Sequence, residues 1–240
     1  MVCLLRIAPD LLASRRSLCM MQLLYHSFWL SPTEAAELLE RFPRESSSWS
    51  TAHPGGKADE GGARRVQQWG FAFDYALYEQ AQETPGVVPL RHEDAMPKWL
   101  QEVGNRAFEA LGFQSHPSQV IVNEYLDGQG IGAHADHPCF GPEIAIVSLG
   151  DPIVMSFSRR QDLPASGLQD IPTTLGGQGD FSVPLVHGSL LGLSDDLRWN
   201  WLHSIAPNQR LQRRVSLTYR TIQDSALQAL CESTQTPKGI

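Results

Sequence analysis

The chain has 240 residues, 42% of them hydrophobic, which supplies enough apolar material for the core of one large domain or two small ones. This composition excludes a disordered or fibrous protein. Its 19 Lys and Arg residues are outnumbered by 26 Asp and Glu residues, so the net charge of −7 excludes a globally basic nucleic-acid-binding surface. Any binding of an anion has to come from local clusters of basic residues. No run of about 18 apolar residues occurs, so no transmembrane helix is expected.

The N-terminal segment and the cysteines bear on the cellular compartment. Residues 1–22 carry three arginines and one acidic residue among leucines and serines. This pattern predicts either an amphipathic targeting presequence or a disordered leader before a downstream start at Met20 or Met21. The four cysteines are widely separated and form neither a zinc-knuckle nor a secreted-disulfide pattern. We therefore expect a reducing, intracellular compartment, the cytoplasm or nucleus, with the mitochondrion as the alternative.

Local signals in the first third of the chain predict a helix followed by a long loop. The motif Ser31-Pro32-Thr33-Glu34 is a capping box with proline at the first helical position, and it predicts a short helix over about residues 32–41. Residues 44–65 are rich in serine, glycine and charge and have no hydrophobic period. They predict a mobile loop that could cover a site as a lid.

An aromatic segment and a longer helix follow this loop. Phe71, Phe73 and Tyr75 alternate along the chain after Trp69, which predicts a strand with an aromatic face. Apolar residues at helical spacing over about residues 94–111 predict the one long helix.

The sequence pattern changes between residues 119 and 222, where eight short β-rich runs are separated by Gly, Pro and Asp. So many short strands predict a mainly β (α+β) fold of the sandwich or barrel type. Residues 159–180 interrupt this region without any hydrophobic period. They predict a surface loop and a second lid candidate.

One His-x-Asp pair could form part of a metal site. His134 and Asp136 lie two apart on a predicted strand, so their side chains point to the same face and could bind one ion. Taken alone, such a pair is more often part of an ordinary surface strand. A facial triad on Fe(II) needs a second histidine from another strand.

Three histidines are candidates for that second position. His137 would point to the opposite face from His134, and His187 lies in a turn, where it has an ordinary structural role. His203 lies in an apolar strand, eleven residues before Arg214, and is the favoured candidate. The sequence leaves the other two open.

Two strands carry polar residues that could bind an anion. Arg214, Ser216, Thr218 and Arg220 share one face of a period-two strand, opposite an apolar face. The alternative is an exposed edge strand with solvated charges. On an earlier strand, Asn123 and Tyr125 share a face and could donate hydrogen bonds to a carboxylate beside an arginine; the alternative is an ordinary core tyrosine.

The order of these motifs resembles the AlkB family of Fe(II)/2-oxoglutarate dioxygenases. The matching segments are NEYLDGQGIGAHADH, IAIVSLGDPIVMSF, GSLLGLSDDLRWNWLHSIAP and RRVSLTYR, within residues 119–222, and RVQQWGFAFDY resembles the family's substrate-side strand. The resemblance gives no support to residues 1 to about 60.

The resemblance implies a role for each matching residue. It implies His134, Asp136 and His203 as iron ligands and catalytic residues. It implies 2-oxoglutarate contacts for five residues: Asn123, Tyr125, Arg214, Ser216 and Arg220. Arg214 would pair with the distal carboxylate, whereas Arg220 would lie nearer the metal. Ser216 stands where the family often has Asn, so its contact is expected to be weaker or mediated by water.

The resemblance also implies the fold and the reaction. The expected fold is a double-stranded β-helix, or jelly roll, with flanking helices. Fe(II), 2-oxoglutarate and O2 are the expected cofactor and co-substrates, with release of succinate and CO2 and hydroxylation of a C–H bond. On an N-methyl group the product then loses formaldehyde.

The expected domain organisation has three parts. Residues 1–22 form the targeting or disordered segment, residues 23–225 the dioxygenase domain with its core at 119–222, and residues 226–240 a C-terminal tail. No fused RNA-recognition or methyltransferase module is visible, so any accessory partner is expected to be a separate protein.

The expected substrate is a modified base in RNA or single-stranded DNA, unstacked and held between aromatic rings. Four aromatic residues are candidates for this platform, although core packing is the alternative: Trp69, Phe71, Phe73 and Tyr75. Three pairs of arginines are candidates for phosphate contacts: Arg64 with Arg65, Arg159 with Arg160, and Arg210 with Arg213. The other functional hypotheses are a hydroxylase of protein or another non-nucleic-acid substrate, and a silent binding module. The silent module would require the loss of a ligand or arginine, and none is missing.

Overall fold

The computed structural model describes residues 23–51, 64–83, 87–160, 180–207 and 211–235. The predicted segment 1–22 lies outside the described residues. So do residues 52–63 of the first lid candidate (44–65) and residues 161–179 of the second (159–180). Within the described ranges, no helix is both long enough and apolar enough to span a membrane.

The chain forms thirteen strands and five helices within the described residues. The strands are β1 (Leu24–His26), β2 (Ser50–Thr51), β3 (Arg65–Trp69), β4 (Phe71–Phe73), β5 (Leu90–His92), β6 (Gln119–Tyr125), β7 (Ile131–His134), β8 (Phe140–Gly150), β9 (Ile153–Arg159), β10 (Phe181–Leu185), β11 (Ser189–Leu193), β12 (Trp201–Ile205) and β13 (Arg214–Ile222). The helices are α1 (Pro32–Glu40), α2 (Tyr75–Glu83), α3 (Lys98–Leu111), α4 (Asp195–Trp199) and α5 (Asp224–Gln235). All eight predicted strands between residues 119 and 222 are present.

The strands build two main antiparallel sheets that pack face to face. The larger sheet has the order β1-β11-β8-β13-β6-β3-β2, the smaller has the order β10-β9-β12-β7, and β4 pairs with β5 alone. Side chains from both main sheets form one apolar cluster, which includes Ile146 of β8, Phe157 of β9 and Trp201 of β12. This arrangement confirms the predicted mainly β, jelly-roll fold with flanking helices.

Alternation along β13 separates two different environments. Val215, Leu217 and Tyr219 point outward into a second core, where α1 and α3 cover the larger sheet. The Tyr219 hydroxyl donates a hydrogen bond to the Leu100 carbonyl of α3 at 2.9 Å. The polar residues of β13 face inward, toward the smaller sheet. The edge-strand alternative is wrong, because β13 lies between β8 and β6 and Arg214 is completely buried.

The predicted continuous aromatic strand is wrong. It bends at Gly70, which has φ +81°; a Cβ atom there would lie 2.2 Å from the Ser118 carbonyl oxygen. The strand resumes as β4 and ends at Asp74, whose side chain accepts the N–H groups of Ala76 and Leu77 and so starts α2. Tyr75 therefore begins a helix instead of continuing the strand.

The other helix predictions need smaller corrections. α1 has the predicted capping box, with the Ser31 side chain accepting the Glu34 N–H. α3 begins at Lys98 rather than near residue 94, because Pro97 occupies the position before it. The segment predicted as a C-terminal tail contains most of α5, whose Ala226 is buried in a small apolar cluster.

Glu124 anchors an ion-pair cluster on the outer face of β6. It is 1% exposed, and its carboxylate accepts Arg65 Nε at 2.7 Å and Arg213 Nε at 2.8 Å. The two guanidinium groups are therefore committed to an internal carboxylate rather than to phosphate. Arg210, the other member of one predicted phosphate-binding pair, lies outside the described residues.

Replacing Glu124 tests the importance of this cluster. We expect Glu124→Gln to lower the free energy of unfolding by about 3 kcal/mol, because loss of one partner from a buried ion pair leaves the others uncompensated. Urea denaturation of the variant measures this change. Glu102→Gln is the matched control, since Glu102 pairs with Lys98 on the solvent side of α3, and it should leave stability nearly unchanged. Equal effects of the two substitutions would contradict a stabilising role for the cluster.

Candidate metal and co-substrate site

Two strands and a loop bring His134, Asp136 and His203 together. His134 ends β7 and lies directly opposite His203 of the neighbouring β12, while Asp136 follows β7 by two residues. The two imidazole rings are 4.4 Å apart between centroids. His203 Nε2 lies 3.6 Å from a carboxylate oxygen of Asp136. The three residues therefore form one compact cluster between the sheets.

Both histidines are suited to donate a lone pair. Burial lowers the pKa of His134, and burial followed by the proximity of His134 lowers the pKa of His203 to about 3. Both imidazoles are therefore neutral near pH 7. His134 Nδ1 lies 2.8 Å from the Gly132 carbonyl oxygen, to which it can donate in the tautomer that leaves Nε2 unprotonated.

Asp136 supplies the negative charge of the cluster. Burial is the largest single influence and disfavours the ionised form, but the Arg220 guanidinium in contact with Asp136, together with His203, His134 and Arg198, outweighs burial and holds the pKa of Asp136 well below its usual range. The carboxylate is therefore ionised. Arg220 also donates from Nη1 to Gln119 Oε1 at 3.3 Å, which fixes it at the metal end of β13.

Two neutral imidazoles and one carboxylate match the donor set of a facial triad for Fe(II). Among the described residues, however, no three His, Cys, Asp or Glu side chains already have the geometry of a metal site. Asp136 instead contacts Arg220 and His203. The donor types and their burial fit the metal, and the assignment of these three residues as its ligands stays a prediction.

The two remaining candidate histidines have structural partners elsewhere. His137 Nδ1 accepts the Cys139 N–H at 3.1 Å, and its ring packs against aromatic side chains. His187 Nδ1 accepts the Gly150 N–H at 2.9 Å across the turn before β11. Neither joins the cluster of His134, Asp136 and His203, in agreement with the preference for His203.

Arg214 offers a buried group that suits a carboxylate ligand. Its side chain is fully buried, and Nε and Nη1 have no hydrogen-bond partner among the residues described. Its Nη2 donates weakly to Ser148 Oγ at 3.3 Å, and the guanidinium lies 5.0 Å from the centroid of the Tyr125 ring. Because unsatisfied buried donors are costly, an anionic partner such as the distal carboxylate of 2-oxoglutarate fits this position.

Neighbouring strands place the other predicted co-substrate residues beside Arg214. Tyr125 pairs in register with Arg214, and Asn123 pairs with Ser216. Ser216 is also opposite Ser148 of β8, so a row of polar side chains crosses three strands on the inner face. Tyr125, Asn123 and Ser216 therefore lie near Arg214, and their contacts with 2-oxoglutarate stay predictions.

The sequence patterns missed Ser148 and Arg198 beside this site, and they predicted Arg64 as a phosphate contact instead of a neighbour of Asn123. Ser148 is the one polar inward position of β8, and the period-two pattern could have identified it. Arg64 is buried and donates from Nε to Asn123 Oδ1 at 3.0 Å, so it faces the site rather than solvent. Arg198 contacts the loop that carries Asp136, and no local pattern distinguishes it from a surface arginine.

The predicted aromatic platform divides into separate groups. The Phe73 ring lies 5.0 Å from Tyr75, 5.7 Å from Tyr78 and 5.6 Å from His137, all between centroids. This aromatic cluster therefore includes His137, the residue that follows Asp136. By contrast, Phe71 packs on His92 at 5.2 Å.

Trp69 does not share a platform with these rings. It packs against the outer core, on the side of the larger sheet that faces the helices. The expectation that Trp69 forms one aromatic face with Phe71, Phe73 and Tyr75 is therefore wrong, because the bend at Gly70 separates Trp69 from them.

Comparison with known proteins adds independent support for the family. The sequence profile of the 2OG-Fe(II) oxygenase superfamily matches residues 22–220. The chain is 34% identical over 146 residues to tRNA (carboxymethyluridine(34)-5-O)-methyltransferase ALKBH8 of Macaca fascicularis, covering 59% of this chain and 18% of that protein. It is 30% identical over 114 residues to probable RNA/DNA demethylase ALKBH6 of Danio rerio, covering 47% of each.

Solved structures agree on the fold. The structure of OsALKBH1 superposes with a TM-score of 0.58 at 14% identity, covering 84% of this chain and 97% of that one. The chain spans less than half the length of the macaque and zebrafish relatives. The matched region is that of an oxygenase that uses Fe(II), 2-oxoglutarate and O2. The chain belongs to the 2OG-Fe(II) oxygenase superfamily, and its sequence is similar to those of AlkB homologues.

Proposed function

We propose that the protein hydroxylates or oxidatively demethylates modified bases in RNA or single-stranded DNA. The observation that carries this proposal is the aromatic cluster of Phe73, Tyr75, Tyr78 and His137 next to the candidate iron ligand Asp136. A base has to leave its stack to reach such a centre, and aromatic side chains stabilise the unstacked base. Tyr78 is 37% exposed, so its ring is accessible to a ligand.

The proposal assigns the metal and the co-substrate to separate groups of residues. His134, Asp136 and His203 hold Fe(II), and five residues hold 2-oxoglutarate: Asn123, Tyr125, Arg214, Ser216 and Arg220. With 2-oxoglutarate and O2, the bound iron supplies the oxidation of a C–H bond, with release of succinate and CO2.

The protein's own residues prepare the site for that chemistry. Arg214 binds the distal carboxylate, because its unsatisfied N–H groups gain charge-assisted hydrogen bonds only with an anion. Arg220 keeps Asp136 ionised. The apolar inner core, including Ile146, Phe157 and Trp201, excludes water from this end of the jelly roll.

The relatives favour a nucleic-acid substrate over other substrates. The macaque protein's name specifies a modified uridine of tRNA, and the zebrafish protein's name specifies RNA or DNA. Arg159 and Arg160, at the end of β9, are half-buried and remain the candidate phosphate contacts. We further propose an intracellular location.

Product analysis tests the reaction and the metal ligands together. The protein is incubated with iron, 2-oxoglutarate and a panel of methylated single-stranded DNA and RNA oligonucleotides, and succinate and modified bases are detected by mass spectrometry. We expect His134→Ala to reduce both products by more than ~100-fold. Removing a residue that only hydrogen-bonds to a metal ligand already lowers activity by up to ~100-fold, and removing a ligand should lower it further. His116→Ala is the matched control, because His116 is exposed in the loop before β6, and it should retain activity.

Two outcomes would contradict the proposal in different ways. Succinate formed without any oligonucleotide product would favour a hydroxylase acting on protein or another substrate. Full activity of the His134→Ala variant would remove His134 from the ligand set.

Replacing Arg214 tests the co-substrate site. We expect Arg214→Met to raise the KM for 2-oxoglutarate at least ~30-fold, the factor that corresponds to ~2 kcal/mol for truncating a buried charge pair. The same substitution should raise the free energy of unfolding of the ligand-free protein by ~1 kcal/mol, because it removes buried donors without partners. Enzyme kinetics and urea denaturation measure the two effects. A variant with an unchanged KM would exclude Arg214 from 2-oxoglutarate binding.

Replacing Tyr78 tests the aromatic cluster. We expect Tyr78→Ala to raise the KM for the oligonucleotide at least ~5-fold, the factor that ~1 kcal/mol of base stacking represents. Slow succinate production without oligonucleotide should not change, since Tyr78 is not among the predicted co-substrate contacts. Phe28→Ala is the matched control, because Phe28 is an 84% exposed aromatic residue between β1 and α1. Equal KM values for both variants would argue against stacking at Tyr78.

A further inference from the structure

Arg198 of α4 makes four hydrogen bonds, two to the loop after β7 and two to the first residues of β8. Its Nε donates to the Gly141 carbonyl and its Nη1 to the Asp136 carbonyl, each at 3.1 Å. Its Nη2 is shared between the carbonyls of His137 at 3.1 Å and Phe140 at 3.3 Å. The residue is 2% exposed, and its guanidinium lies 4.1 Å from the centroid of the Trp199 ring. All three guanidinium nitrogens therefore have partners.

The loop that Arg198 binds carries a candidate iron ligand. Residues 135–139 connect β7 to β8 without regular secondary structure, so their carbonyls need partners outside a sheet ladder. The His137 carbonyl also accepts the Phe140 N–H at 3.1 Å, and the Cys139 carbonyl accepts the Gln223 N–H at 2.9 Å. No salt bridge among the described residues involves Arg198. Burying a guanidinium against carbonyls alone is costly, and burial lowers the pKa of Arg198 to about 10 despite the opposing charge of Asp136. It remains charged near pH 7.

The helix that carries Arg198 is joined to the strand that carries His203. Asn200 is the single residue between the end of α4 and the start of β12. The Asp196 carboxylate accepts Trp201 Nε1 at 2.9 Å and Asn200 Nδ2 at 2.7 Å, so the helix is fixed to the first residue of β12. One guanidinium therefore connects two segments that are more than fifty residues apart in the chain.

We propose that Arg198 is a positioning residue that sets the placement of Asp136 relative to His203, and thereby the metal affinity of the site. It acts through the backbone of the loop and contacts neither substrate nor metal. The inference rests on the proposed function, because it takes Asp136 and His203 as metal ligands. Outer-shell groups of this kind orient the ligands, and their loss weakens metal binding without removing a ligand.

Lysine cannot replace Arg198 in this role. The planar guanidinium presents N–H groups in a fixed fork that reaches carbonyls on either side of the loop. A lysine ammonium is a single compact group and can satisfy only part of this set. Arg198→Lys therefore preserves the charge but loses the positioning.

Binding of Mn²⁺ to the full chain in the presence of 2-oxoglutarate tests this inference without any turnover. The signal of free Mn²⁺ in electron paramagnetic resonance gives the affinity, and thermal unfolding without metal gives the stability of each variant. We expect Arg198→Met to weaken Mn²⁺ binding by ~10- to 100-fold and Arg198→Lys to weaken it in the same direction. The bound Mn²⁺ spectrum should change in both variants.

Arg213→Met is the matched control for stability. Arg213 is another largely buried arginine, but it pairs with Glu124 on the outer face of the larger sheet. This substitution should lower the unfolding temperature and leave Mn²⁺ affinity unchanged. If Arg198→Met fails to fold, the Arg198→Lys variant carries the test.

The results separate three outcomes. Folded Arg198 variants with native Mn²⁺ affinity would overturn the inference. Equal loss of affinity in Arg213→Met would also overturn it, because the effect would then follow stability alone. Failure of the native protein to bind Mn²⁺ would overturn the ligand assignment itself, and the inference with it.

Discussion

The burial of β13 at the centre of the larger sheet is the constraint on which the site depends. Its two faces meet different surroundings, a helix-covered apolar core on one side and the interior between the two sheets on the other. Arginines on the inner face are buried, so each needs an internal anion or a ligand. Arg220 contacts the Asp136 carboxylate, whereas the neighbours of Arg214 are the Ser148 hydroxyl and the Tyr125 side chain. Among the described residues, one arginine of this face is therefore paired with a carboxylate and the other is not.

This asymmetry links stability to function. A fully satisfied interior would favour the ligand-free fold, but it would leave nothing to gain when a dicarboxylate enters. The N–H groups of Arg214 instead lose their hydration when the protein folds. Ligand binding therefore does not require a second desolvation free energy for these groups. The sheet register then aligns Asn123, Ser216 and Ser148 beside it without requiring any loop to move.

Period-two patterns allowed much of this architecture to be predicted from sequence. Alternation predicts the two faces of β13, whereas the resemblance to a known family implied the jelly-roll fold and the grouping of His134 with His203. Alternation failed at Phe71, Phe73 and Tyr75, because a glycine with positive φ and an aspartate cap decide the chain path there. The partners of Arg198 and Arg64 could not be predicted, because they are distant in sequence and follow no local period.

The position of β7 at the edge of the smaller sheet has a consequence for dynamics. It has four residues and one neighbouring strand, and its register with β12 is irregular between His203 and Ile205. Edge strands of this length open by local fraying at a much lower free energy than whole-domain unfolding. Amide hydrogens around His134 would therefore exchange well before those of β13, so the edge that carries this candidate iron ligand can open while the rest of the two sheets stays folded.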